Sequence, residues 1–179
     1  MEQSTLDYLD KFIAPGSLVL EIGDSGGGYT VELARRASTG GHVICFAADM
    51  GVANDVELAM RYRDVGDTRP NAEVMCVDIA LNSERRLDNL ALPDLHFVKI
   101  GPMYDTYTVV NGMKAHLARY RPIVLFSTPK TKPDWMHEQV AVILRLLGYK
   151  LYVLNDGSLL ELPGSQFPRK ETLAVYAGE

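Results

Sequence analysis

The sequence contains very little cysteine and no apolar run long enough to cross a bilayer. Its two cysteines, Cys45 and Cys76, each lie in a short apolar segment, which predicts buried free thiols in a reducing compartment. The longest apolar stretch, residues 140–154, is interrupted by Arg145 and Lys150, so no membrane span is expected. The first residues lack the basic and apolar regions of a secretory signal. We therefore expect a cytoplasmic protein.

An excess of basic residues is also absent. The 179 residues include 18 Lys and Arg against 23 Asp and Glu, a formal net charge of −5. Proteins that bind nucleic acid through its backbone need a positive field, so no nucleic-acid partner is expected. Short basic patches at 119–121 and 130–132 are interpreted as solvated helix or loop ends. The four histidines lack the spacing of a zinc site, and no metal is expected.

Short apolar segments alternate with amphipathic segments of helix length. Strands are predicted at 17–22, 42–47, 72–80, 95–100, 122–127, 149–155 and 172–177. Helices are predicted at 5–13, 29–37, 52–64, 105–119 and 134–147. In the last helix, one apolar side is expected to contain Trp135, Val140, Ile143, Leu144 and Leu147.

This alternation predicts an α/β fold. We expect a Rossmann-like, doubly wound, mostly parallel sheet of seven strands that ends in a C-terminal antiparallel hairpin, the layout of the common methyltransferase fold. One domain would span 1–179, with an N-terminal helix at 1–14, a βα core at 15–155 and a strand region at 156–179. In such sheets, ligands bind beyond the carboxyl ends of the strands where the strand order reverses.

Residues 21–28 (EIGDSGGG) connect the first predicted strand to the first helix of the core. Glycine allows a tight turn with positive φ and close approach of a ligand, and the N–H groups that start the next helix can donate to that ligand. The carboxylates of Glu21 and Asp24 would repel a pyrophosphate, and the spacing G-x-G-x-x-G is not met. The turn therefore favours an aminoacyl nucleoside with cationic groups, and it argues against a phosphate-nucleotide enzyme. Alternatively, the glycines serve only to pack a helix on a strand.

The same segment resembles the first motif of the FkbM-type S-adenosylmethionine-dependent methyltransferases. In residues 19–30 (VLEIGDSGGGYT), Gly23, Gly27, Tyr29 and Thr30 fit the family's pattern. Further similar pieces follow in the family's order at 87–90, 95–100, 110–112, 121–126 and 146–149. The resemblance implies an enzyme that binds S-adenosylmethionine and methylates a hydroxyl of a sugar or other small molecule.

The turn and the strand ends offer a set of candidate contacts to such a cofactor. The candidates are Glu21, Gly23, Asp24, Ser25, Gly27, Asp49 and Asp78. Those of the glycine turn would hold the amino-acid end of the cofactor and let the helix start approach it. Asp49 and Asp78 would bracket the nucleoside, although each could instead serve its own loop or turn.

Three strand ends depart from the family's pattern, because they carry Ala47, Gly101 and Ser127 where the family has acids. Asp49 and Asp105 lie close enough in sequence to substitute, but each could equally cap the helix that follows it. No catalytic residue is therefore assigned. The alternative function is a catalytically inactive protein of the same fold that acts as a scaffold or regulatory partner, in a homo-oligomer or another protein assembly.

Overall fold

The computed structural model describes residues 3–23, 27–38, 40–47, 49–62, 72–76, 87–127, 133–155, 158–164, 166 and 171–178. Within these ranges the chain forms one eight-stranded sheet. The strands are β1 (Leu18–Ile22), β2 (His42–Ala47), β3 (Ala72–Cys76), β4 (Phe97–Ile100), β5 (Ile123–Phe126), β6 (Tyr149–Asn155), β7 (Ser158–Glu161) and β8 (Thr172–Tyr176). The helices are α1 (Gln3–Phe12), α2 (Gly28–Ala37), α3 (Met50–Tyr62), α4 (Thr106–Gly112), α5 (Lys114–Tyr120) and α6 (Asp134–Leu146).

The sheet order is β3-β2-β1-β4-β5-β8-β6-β7. The first five strands run parallel, and β1 lies between β2 and β4. The chain therefore reverses its direction across the sheet at β1, which makes the carboxyl ends of β1 and β4 the topological switch point. The predicted doubly wound architecture is confirmed.

The C-terminal part of the sheet contains one strand more than the sequence predicts. As expected, β6 and β8 pair antiparallel, and β8 also pairs antiparallel with β5. The additional strand, β7, pairs with the outer edge of β6. It is only four residues long and mostly exposed, so it lacks the buried apolar pattern by which the other strands are recognised.

The helix predicted at 105–119 is two helices, and Asp88 supplies the physical reason. Its carboxylate accepts hydrogen bonds from Ala115 N at 3.1 Å and His116 N at 3.0 Å, so it caps the start of α5. Its own N–H donates to Gly112 O, the last carbonyl of α4. Because Asp88 satisfies backbone groups on both sides of Met113, the helix is interrupted at that residue.

Apolar side chains cover both faces of the sheet. Leu20, Ile22 and Val98 pack with α4, α5 and α6 on one face, while Val19 and Phe97 pack with α1 and α2 on the other. This two-sided burial explains why these strands read as continuous apolar runs.

One expectation about α6 is wrong. Its buried side comprises His137, Val140, Ala141 and Leu144, whereas Trp135 is 53% exposed and makes an edge-to-face contact with the Tyr107 ring. The single tryptophan therefore lies outside the buried core, beside α4.

The structure bears on two expectations about the chain's environment. Cys45 is buried and belongs to no disulfide, as predicted, and Cys76 lies in β3. Of the helices in the described part of the chain, none is both long and apolar enough to span a bilayer.

Candidate functional site

The carboxyl ends of β1, β2, β4 and β5 meet at one edge of the sheet, where the sequence places its candidate site. Gly23 follows β1, Ala47 ends β2, Gly101 follows β4 and Ser127 follows β5. Three of these are the positions that lack the family's acids. The structure therefore brings the departures together at the switch point.

At the switch point, the backbone after β1 lies very close to the backbone after β4. Gly101 N donates to Ile22 O at 2.7 Å, and a Cβ on Gly101 would overlap the carbonyl oxygen of Gly23. Gly23 has a φ of +84°, and the ring of the buried Tyr104 packs against it. Position 101 thus has no space for a side chain, so the absence of an acid there reflects the backbone packing.

Gly27 begins α2 in the left-handed conformation, with φ +72°. A Cβ at this position would lie 2.5 Å from the Ala59 Cβ and 3.0 Å from the Val56 Cα. Gly27 therefore allows α3 to pack closely against the start of α2. The packing role that the sequence left open for these glycines is present here.

Gly27, the residue before α2, has no side chain with which to cap the helix, whereas Asp49 and Asp105 cap α3 and α4. Its first intrahelical hydrogen bond runs from Val31 N to Gly27 O at 3.1 Å. The N–H groups of the first turn precede that bond and have no acceptor within the helix. N–H groups at such a helix start, with the positive end of the helix dipole behind them, suit a carboxylate.

Glu21, a residue of β1, anchors the start of α2 to the sheet. It is 1% exposed, and its Oε2 accepts a 2.6 Å hydrogen bond from Thr30 Oγ1, which is also buried. The Sγ of Cys45, on the neighbouring strand, lies 3.6 Å from the same hydroxyl oxygen. Glu21 thus fixes the first turn of α2 to β1, and its direct contact with a ligand stays a prediction.

A second buried group reaches the same turn, and sequence reasoning missed its role. Lys99 of β4 is 2% exposed, and its Nζ lies 4.6 Å from the centroid of the Tyr29 ring. The same atom lies 3.6 Å from Glu171 Oε1, to which the Tyr29 hydroxyl donates at 3.4 Å. The sequence signal was the lysine itself, a charge in an otherwise apolar strand.

The two carboxylates expected to substitute for missing acids are both helix caps. Asp49 Oδ1 accepts from Val52 N at 2.9 Å and caps α3. Asp105 accepts from Tyr107 N at 3.2 Å and from Thr108 Oγ1 at 2.7 Å, and caps α4. The capping alternative is therefore present at both positions.

Three of the candidate cofactor contacts are not among the residues that the structure describes. Asp24, Ser25 and Asp78 lie outside the described residues. Met50 and Met103, which flank the switch point, are 63% and 51% exposed and offer apolar surface beside it. Over the described ranges, no group of three His, Cys, Asp or Glu residues could hold a metal ion.

Comparison with known proteins gives a fold likeness without sequence similarity. No protein-family model and no curated protein sequence matches the chain. The O-methyltransferase from Bacillus cereus in complex with SAH has a TM-score of 0.66 at 18% identity, covering 98% of this chain and 82% of that one. A SAM-dependent methyltransferase from Aquifex aeolicus has a TM-score of 0.59 at 16% identity, covering 97% and 88%.

An rRNA methylase from Streptococcus thermophilus is similar to the same extent. Its TM-score is 0.57 at 15% identity, and the alignment covers 95% of this chain and 91% of that one. The chain therefore has the fold of methyltransferases, and this likeness, at such low identity, concerns the fold alone.

Proposed function

We propose that this protein is an S-adenosylmethionine-dependent methyltransferase that methylates a hydroxyl of a small molecule. The observation that carries the proposal is the glycine-led N-terminus of α2 at the switch point of a methyltransferase fold. The narrower FkbM-type membership, from which the hydroxyl acceptor derives, rests on the sequence motifs alone.

The residues at this edge fit an adenosyl amino acid at both of its ends. The N–H groups of the first turn of α2, which follows Gly27, suit the carboxylate of the amino-acid part. Asp49 is exposed and uses only Oδ1 for its cap, which leaves Oδ2 to accept from a ribose hydroxyl. The buried Ala47 at the end of β2 leaves that role to Asp49.

The chemistry that this cofactor supplies when bound is a methyl group on a positively charged sulfur. The contribution of the chain is to hold the two reactants in line, and positioning of this kind accounts for a large part of many rate enhancements. Exposed Met50 and Met103 would exclude water beside the reacting groups.

One observation favours the second candidate, a protein that keeps the fold and has no methyl transfer. Both Asp49 and Asp105 are used as helix caps, and Gly101 has no room for a side chain. Asp105 uses both carboxylate oxygens in its cap. If Asp49 holds the ribose, no carboxylate among the described residues at the ends of β2, β4 and β5 is left to deprotonate an acceptor. Such a protein would bind the cofactor without transferring its methyl group, or it would bind neither the cofactor nor an acceptor.

Titration calorimetry with S-adenosylhomocysteine tests the binding half of the proposal. Gly28→Asp places a carboxylate at the first position of α2, where it favours the helix but repels the ligand carboxylate. Its isostere Gly28→Asn serves as the control. We expect micromolar binding to the wild type, retained in part by Gly28→Asn and lost in Gly28→Asp. Absence of heat with the wild type at high protein concentration would contradict the proposal.

Transfer of a labelled methyl group tests the acceptor. The negative net charge argues for a small molecule, whereas rRNA methylases share the fold. Label from S-adenosylmethionine should appear in hydroxyl-bearing sugars and small metabolites, and should not appear in ribosomal RNA. The reverse distribution would overturn the small-molecule assignment and keep the methyltransferase assignment.

A further inference from the structure

We propose that Lys99 is a positioning residue that fixes the first turn of α2, and through it the ligand-binding N–H groups. The effect on ligand binding rests on the proposed function, whereas the effect on the turn does not. Lys99 lies on β4, on the other side of the switch point from the turn that it would hold.

The environment of Lys99 is unusual for a lysine. Its side chain is 3% exposed, and lysines are almost never fully buried unless they are paired. Here the ammonium group contacts the Tyr29 ring face, the Glu171 carboxylate and the carbonyl of Ile100, to which it donates at 3.3 Å. These three contacts offset the loss of water around the charge.

Two of these contacts join parts of the chain that are distant in sequence. Tyr29 belongs to the first turn of α2, and Glu171 immediately precedes β8. The Tyr29 hydroxyl also donates to Glu171. Lys99 therefore ties the start of α2 to both β4 and the strand that begins next to Glu171.

The neighbouring residue Thr30 is tied to the sheet independently. Thr30 donates to Glu21 of β1, and Glu21 is the register partner of Lys99 in the β1–β4 pair. Two adjacent buried charges on adjacent strands thus hold two consecutive residues of α2. Gly27 contributes no side-chain cap to this helix start, so side chains of the sheet contribute to its anchoring.

The other end of α2 provides a matched comparison. Arg36 is also buried and charged, and it pairs with Asp10 of α1 and Glu32 of α2, each at 2.6 Å. Arg36→Met and Lys99→Met each remove one buried charge that holds α2 in place. Only Lys99 lies at the end that would meet a ligand.

Hydrogen exchange at one backbone amide in the first turn of α2 and one in its last turn distinguishes effects at the two ends of the helix. No ligand is needed for this measurement. Val31 N donates to Gly27 O in the first turn, and Ser38 N donates to Ala34 O in the last. Lys99→Met should raise the exchange rate about tenfold or more at Val31, the effect of losing a desolvated cation–π contact, with little change at Ser38. Arg36→Met should raise it at Ser38 and leave Val31 near the wild-type rate.

Calorimetry with S-adenosylhomocysteine then measures the consequence for the site. Lys99→Met should lower the affinity about tenfold, while Arg36→Met should leave it within about twofold of the wild type. Tyr29→Leu should reproduce Lys99→Met, and Tyr29→Phe should resemble the wild type because it keeps the ring face. The Tyr29 variants also test the proposal if Lys99→Met does not fold.

These measurements test two separate claims: that Lys99 holds the first turn of α2, and that this turn binds the ligand. Unchanged exchange at Val31 in Lys99→Met and Tyr29→Leu would overturn the positioning role, as would equal losses of affinity in Lys99→Met and Arg36→Met. Raised exchange at Val31 in a protein whose wild type does not bind S-adenosylhomocysteine would support the hold on the turn and overturn the proposed function.

Discussion

The ring of Tyr104 packs so closely on Gly23 that a Cβ at position 23 would lie 2.5 Å from the Tyr104 Cδ2. Tyr104 is 6% exposed and belongs to the core on the α4–α6 face of the sheet. The glycine turn is therefore fixed from the core side by an aromatic side chain. This contact, together with the positive φ of Gly23, makes position 23 more restrictive than a turn alone would be.

Gly23→Ala should lower the free energy of unfolding by about 3 kcal/mol, from backbone strain and overpacking together. Gly16 is the matched control, because its φ is +85° and a Cβ there would meet nothing within 4 Å. Gly16→Ala should cost only about 1 kcal/mol, since it adds strain alone. Urea unfolding of both variants measures the difference, and equal losses would show that Tyr104 moves aside freely.

Gly101→Asp restores an acid at the end of β4 but should not restore a catalytic base. The new Cβ would overlap Gly23 O, so we expect a loss of at least about 3 kcal/mol in unfolding free energy and no gain in methyl transfer. Gly164→Asp is the control, because a Cβ there has open space. A stable Gly101→Asp protein with increased transfer would contradict this account of the site.

Two buried histidines should respond in opposite directions to replacement by leucine. Neither ring nitrogen of His137 has a hydrogen-bond partner within the described part of the chain, so His137→Leu should raise the free energy of unfolding by about 1 kcal/mol. The ring of His116 contacts Asp88 Oδ1 at 2.9 Å and Leu90 O at 3.1 Å, and His116→Leu should lower it by about 2 kcal/mol. Denaturation at neutral pH measures both, and a destabilised His137→Leu protein would indicate a role for that ring.

The stability contributed by Glu32 should depend on pH in the acid range. Burial by itself would raise the pKa of its carboxyl group, but hydrogen bonds and charge from Arg36 and Arg35 outweigh burial and hold the pKa below the usual 4.5. A lowered folded-state pKa means that the contribution is present above the unfolded pKa and is lost as the pH falls through the folded value. The stability difference between wild type and Glu32→Gln should therefore be constant near neutrality and shrink below about pH 4.5. A difference that grows on acidification would contradict this assignment.

The fold was predictable because most of its elements have their own sequence pattern. The apolar runs of β1, β2 and β4 and the glycines before α2 lie where the periodicity predicts them. What escaped prediction depends on contacts between distant residues. The break between α4 and α5 is made by Asp88, which lies about 25 residues earlier in the chain, and β7 forms only because β6 offers it an edge.

The site was predictable in position but only in part in its residues. The switch point and the glycine-led start of α2 follow from strand order and glycine spacing. The sequence could not show that Asp49 and Asp105 would both be used as caps, that Tyr104 would pack on Gly23, or that Lys99 would reach Tyr29. Each of these depends on which way a side chain points at the end of its element, and periodicity does not determine that.

A crystal structure of the protein soaked with S-adenosylhomocysteine tests the central claim most directly. The account predicts that the ligand carboxylate lies within about 3.2 Å of the N–H groups at the start of α2, with the nucleoside extending past the end of β2 towards Asp49. Density for the ligand elsewhere, or a start of α2 that stays empty at saturating ligand, would contradict it.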